Sequence, residues 1–375
     1  MTIYYIILFI LTGLGYALTE KKKSPKNTAL YLSAACLLLV FTASCRYAIG
    51  FDYFSYRNIY EMASSWTLGD IFRIRWDEPL YFMVCKALGL AGCPYQVFLL
   101  IINIFLMATA MQFIYRYSRC PWISVYLYIT LQFLAYNMNL IRQSIATAFF
   151  LLAYPYLKSR KILPFTILIL TGGLFHNSLL FLYPLYFLLP QKSTRKTLLF
   201  FTLSTLFVYI FFEPLFGLIQ PFLPVRYSNY EGSYFWHPNN FCYVLLPALY
   251  CLLIYLFRNR ITDPFLHSVC TNSALYQLII SLFITKHFIL ERFAVYPFIF
   301  SLIAIPEIIC SYKEAPTRLP YDKTGHESKP FLTYHRVLLL FLLFGGAYFA
   351  FAAFAGFHHV YPYVGLWDKS ISSPG

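Results

Sequence analysis

Four short motifs hold the side chains that could do chemistry: Arg46, Gly50, Asp52, Tyr56 and Arg57 in RYAIGFDYFSYR; Asn139, Arg142 and Gln143 in NLIRQ; His176 in FHNS; and Glu291, Arg292 and Tyr296 in ERFAVY. The NLIRQ spacing predicts that Asn139, Arg142 and Gln143 share one helical face, and Arg292 and Tyr296 lie one turn apart. Guanidinium groups bind phosphates through two parallel hydrogen bonds and stay charged beside lipid. Arg46, Arg142 and Arg292 are therefore candidates to hold an anionic headgroup such as a diphosphate. Asp52 and His176 are the candidate bases. An ionised carboxylate only accepts hydrogen bonds and suits an oxocarbenium-like centre, whereas imidazole titrates nearer neutrality. Taken singly, each residue also has an ordinary structural reading. An arginine at a helix end can snorkel to the interface, a histidine can be a hydrogen-bonded core residue, and Asp52 can pair with Arg46 or Arg57.

The elements that must position these residues are membrane helices. Of 375 residues, 59% are hydrophobic and only 12% charged, about half the charge density of a soluble domain. The net charge of +14 does not indicate nucleic-acid binding, because the basic residues sit in short clusters between apolar segments. The nine cysteines are scattered without a CxxC pair or a Cys/His cluster, so they read as packing residues. Cys45, Cys85 and Cys93 share one expected side, where a bridge is conceivable. Residues 1–18 lack a basic leader and a small-residue cleavage site, and read as a first membrane helix.

Segments 3–18, 29–45, 95–115, 121–138, 141–157, 162–175, 178–190, 197–213, 241–257, 268–286, 293–310 and 335–353 are candidate spans. This predicts an all-α polytopic membrane protein with about twelve crossings and a single transmembrane domain over 1–375. Alternate connections are basic, from Lys21–Lys26 through Arg116 and Arg119, Lys158–Lys161, Lys192–Lys196, and Arg258 with Arg260 to Lys313–Lys329. By the positive-inside rule both termini are then external. Segment 79–90 is too short to cross and reads as a re-entrant or interfacial helix started at Asp77-Glu78-Pro79. Residues 162–190 read as a hairpin of short helices with His176 at its apex. That leaves external loops 46–94 and 214–240, a cytoplasmic loop 311–334 and an external tail 354–375. The candidate site residues all fall on the external side, where the positive-inside rule does not account for them.

The order RYAIGFDYFSYR, NLIRQSIA, FHNS, ERF-x-x-Y resembles the EpsG family of multi-pass bacterial membrane proteins, over residues 30–310. The family is related to Wzy-type O-antigen and exopolysaccharide polymerases. The resemblance places Arg46, Gly50, Asp52 and Tyr56 in the first motif, Arg142 and Gln143 in the second, His176 in the third and Arg292 in the fourth. It implies an inner-membrane polymerase that joins oligosaccharide repeat units carried on undecaprenyl diphosphate at the external face. It also leaves room for a chain-length regulator as a protein partner. No cofactor is expected, and arginines can take the place of a metal on the diphosphate. Asn139, Glu291 and Tyr296 are expected to support the site. Two other classes stay open: another membrane transferase, such as an O-antigen ligase or acyltransferase, and a non-catalytic flippase for lipid-linked oligosaccharide. The gathering of unexplained charge on one side argues against transport.

Overall fold

The structure is a computed structural model and describes residues 2–219, 237, 238, 240–314 and 333–368. Among these, every regular element is helical, and the one β-type pairing is an isolated antiparallel bridge between Arg46 and Gly365. Helix α1 (Thr2–Gly15) continues into a π-helical turn, Tyr16–Lys21. There follow α2 (Pro25–Ser44), α3 (Tyr53–Ser65), α4 (Leu68–Ile74), α5 (Pro79–Leu90) and α6 (Tyr95–Tyr117). Next come α7 (Pro121–Thr130), α8 (Phe133–Asn139), α9 (Ile141–Lys158) and α10 (Ile162–Gly173). After a 3-10 segment, Asn177–Leu182, the chain forms α11 (Leu185–Leu188), α12 (Arg195–Ile210), α13 (Phe212–Ile219) and α14 (Cys242–Phe257). The last helices are α15 (Pro264–Ile284), α16 (Val295–Phe298), α17 (Ser301–Glu314) and α18 (Tyr334–Phe354). The chain divides into two compact units, Met1–Phe181 with Ile305–Gly375, and Leu182–Ala304.

Local chemistry sets several of the helix starts. Ser24 accepts the Asn27 amide ahead of Pro25, Thr67 and Asp70 form a reciprocal capping box, and Asp263 caps α15 ahead of Pro264. Among the described residues, five helices are long and apolar enough to cross a membrane, or up to seven if each of two bent pairs counts as one span. The about twelve crossings expected from hydropathy are therefore met only in part. Helices α5 and α10 have 12 residues each, about 18 Å of rise against a hydrocarbon core of about 30 Å. Apolarity alone could not distinguish a crossing from a short buried helix.

Three further differences bear on function. The expected span 121–138 breaks into α7 and α8 at Gln132, whose φ is +70°. Within the expected loop 46–94 the short helix expected over 79–90 forms as α5, two further helices, α3 and α4, precede it, and α3 packs on α5 around buried Tyr53, Tyr56, Tyr60, Tyr81, Phe82 and Tyr95. That packing needs Gly89, where an added Cβ would lie 2.1 Å from Ser64 Cβ. The tail residues 355–368 after α18 bond to the first motif. Cys45, Cys85 and Cys93 are free thiols. Residues 220–236 and 239 of the loop 214–240, and 315–332 of the connection 311–334, lie outside the described residues.

Candidate active site

Arg142 occupies the first turn of α9, where the helix dipole disfavours a cation. The compensation comes from Glu78, at the start of α5, whose Oε2 pairs with the Arg142 guanidinium. The other oxygen, Oε1, lies 2.7 Å from His176 Nδ1 and accepts the Asn177 amide at 3.4 Å. Leu80 N donates to Leu174 O at 3.2 Å, holding the start of α5 against the segment that carries His176. One carboxylate thus joins residues from the second and third motifs. Glu78 is 1% exposed, the His176 side chain 9% and the Arg142 side chain 21%, so the arginine is the member that solvent reaches.

Burial raises the Glu78 carboxyl, but Arg142, His176 and Arg75 outweigh it and hold the group down at about 2. The carboxylate is therefore ionised and can only accept. The proton at the contact then belongs to His176 Nδ1, which donates, leaving Nε2 on the far side of the ring. The rings of Tyr56 and Tyr81 lie 5.9 Å from the Arg142 guanidinium carbon and 6.0 Å from each other. They wall a cation on two sides with apolar surface.

The helical face expected to join Asn139, Arg142 and Gln143 does not form, because Leu140 breaks the chain between α8 and α9. Asn139 Oδ1 instead accepts the Asp52 amide at 3.0 Å, fixing the first motif at the start of α3. Gly50 is needed beside it. Its φ is +95°, and an added Cβ would come within 3.1 Å of Met138 O. Asp52 is half-buried one turn before Tyr56, and Gln143 is buried on α9.

Arg46 lies apart from this centre and is fully buried. Its guanidinium donates to Ala43 O at the end of α2 and sits 6.0 Å from the Tyr53 ring. The tail covers it: Tyr47 N donates to Val364 O, Gly50 N to His359 O and Leu366 N to Cys45 O. Glu291, Arg292 and Tyr296 belong to the second unit, where Tyr296 is fully buried and Glu291 and Arg292 are half-buried.

Sequence reasoning passes over Glu78, taking Asp77-Glu78-Pro79 only as a helix start. The available signal is a carboxylate on the side where Arg142 and His176 are expected, in need of a cation if buried. The four motifs fall within residues 29–321, which match the profile of the EpsG family, whereas the tail that covers Arg46 lies beyond it. No curated protein and no solved structure matches the chain. The family match covers well over half of the sequence, with the four motifs in their expected order, and the chain belongs to the EpsG family.

Proposed function

We propose that this protein polymerises a surface polysaccharide by joining oligosaccharide repeat units carried on undecaprenyl diphosphate, at the external face of the bacterial inner membrane. Membership of the EpsG family suggests a polymerase-type membrane enzyme of exopolysaccharide biosynthesis, and the multi-pass apolar helices support a membrane location. The observation that carries the reaction is the Glu78 carboxylate joining Arg142 to His176.

In the proposed step an acceptor hydroxyl attacks the anomeric carbon of the donor chain. The new glycosidic bond forms as the bond to undecaprenyl diphosphate breaks, and the diphosphate leaves with the electron pair. His176 Nε2 takes the hydroxyl proton, held in the right tautomer and orientation by Glu78. Arg142 stabilises the charge developing on the leaving diphosphate, the task a metal would otherwise perform. Asp52 is the second candidate for the base. The phosphate role proposed for Arg292 rests on residue type and motif, whereas Arg46, fully buried beneath the tail, is read as a structural anchor.

The test is the length distribution of surface polysaccharide from a deletion strain complemented with wild type, Glu78→Gln, His176→Gln or Asp52→Asn. Collapse to single repeat units, rescued by wild type and Asp52→Asn but not by Glu78→Gln or His176→Gln, is the expected result. Normal chain length in the deletion strain would overturn the polymerase reading. In that case repeat units trapped inside would indicate a flippase, and loss of a substituent an acyltransferase.

A further inference from the structure

The second unit contains a polar cluster that the proposed reaction does not use. Helices α12 and α13 together have the length and apolarity of a membrane span, but the chain bends by 80° between them. A break of this kind inside an apolar segment is tolerated where it faces protein or a water-filled cavity, and broken helices often line substrate sites in membrane proteins. Just past the bend stands Glu213, with a side chain 65% exposed. A carboxylate in such a segment is costly unless it has a task or a partner.

The surroundings come from α12, α13 and the end of α15. His287 Nε2 lies 3.5 Å from Glu213 Oε1, and the His287 side chain is only 8% exposed. The Phe212 and Phe216 rings stack at 5.7 Å and flank the imidazole at 5.3 and 5.7 Å. One turn earlier, Tyr209 and Thr285 hydroxyls meet at 2.9 Å, and Lys286 Nζ stands 4.6 Å above the Tyr209 ring. An open carboxylate, an imidazole, two hydroxyls and an ammonium therefore border a surface of aromatic rings.

A sugar ring matches these features. Its axial C–H faces are apolar and lie flat on aromatic rings, while vicinal hydroxyls donate as a pair to one carboxylate. A phosphate fits poorly, because Glu213 would repel it. We propose that Tyr209, Phe212, Glu213, Phe216, Lys286 and His287 form a saccharide-binding subsite. It takes a neutral or amino sugar of the glycan, with Glu213 accepting from ring hydroxyls and Phe212 and Phe216 supporting the ring face. The identity of this sugar as part of a growing polysaccharide rests on the function proposed above.

The probe is a set of oligosaccharides made by partial acid hydrolysis of the strain's own surface polysaccharide, added to the detergent-purified full chain. Saturation-transfer NMR should show sugar protons in contact with the wild type. Glu213→Gln keeps the shape, removes the charged acceptor at an exposed position and should weaken binding about tenfold or more. Phe212→Leu, which keeps bulk but removes the ring, should weaken it as well. No transfer to the wild type would overturn the subsite, as would equal binding by Glu213→Gln and Phe212→Leu. The two readings fail separately. Unchanged chain length in the deletion strain removes the polymerase but leaves the binding result standing, whereas collapse on deletion with unaltered binding and chain length in both variants removes only the subsite.

Discussion

Arg46 and Arg142 both stand beside a helix end in the first unit and both lie against tyrosine rings, yet their charges are compensated in different ways. Arg142 is at the start of a helix, where the dipole opposes it, and is paired with a buried carboxylate that it shares with an imidazole. Arg46 follows the end of α2, where the dipole favours a cation, and it bonds to a carbonyl of the last turn. Among the described residues no carboxylate pairs with Arg46, and the tail seals it from solvent, whereas the Arg142 side chain keeps 21% exposure. One arrangement keeps a partly exposed guanidinium linked through a carboxylate to an imidazole. The other holds α2, the first motif and the tail together. Identical residue types in motifs of similar appearance are thus suited to different tasks.

The largest effect that would test this contrast is at the shared carboxylate. Glu78→Gln should lower the rate of repeat-unit joining by about a hundredfold or more, since it removes both the anchor of the His176 tautomer and the counter-charge of Arg142. Joining measured in membranes with lipid-linked repeat units reads this directly, and activity within tenfold of wild type would break the comparison. Arg142→Lys keeps the charge but loses the planar fork, and should lower joining about tenfold while the protein stays folded. Equal activity in the lysine and alanine variants would remove Arg142 from the diphosphate.

Arg46→Met should act in the opposite sense, chiefly on stability. It loses the bond to Ala43 O and the contact with the Tyr53 ring, a cost of about 1–3 kcal/mol. Thermal unfolding in detergent should show a lowered midpoint, and joining per folded molecule should stay near the wild-type value. A normal midpoint with lost joining would instead move Arg46 into the substrate site. The smallest effect concerns acid. The Glu78 pKa is depressed from 4.5 to about 2 in the folded protein, so its ionic stabilisation is complete above 4.5 and is lost as pH falls toward 2. The stability difference between wild type and Glu78→Gln should shrink as pH falls from 4.5 toward 2. A constant difference down to pH 3 would show that the pair contributes no linked proton.

Much of this is legible in the residues. The apolar spans announce a helical membrane protein, and the motifs by themselves single out Arg142, Tyr56 and His176, though not the fact that they meet. Glu78 is visible too, but its helix-starting context offers a sufficient local explanation. The helical face expected for NLIRQ fails because Leu140 breaks the chain there, and local spacing does not reveal whether Asn139 will serve its own helix or the Asp52 amide of another segment. The tail carries no recognisable pattern, and its hold on the first motif depends on backbone bonds, which any sequence can supply.

The sequence by itself determined the solvent and the chemistry. A chain so poor in charge must bury its backbone bonds within helices, and its few unexplained charges are the side chains that can act. Only the tertiary structure decided which of them meet. The pairing of Glu78 with Arg142 and His176 spans separations of 64 and 98 residues. Contacts at such range are set by how helices pack and where they break, and short-range periodicity does not encode them.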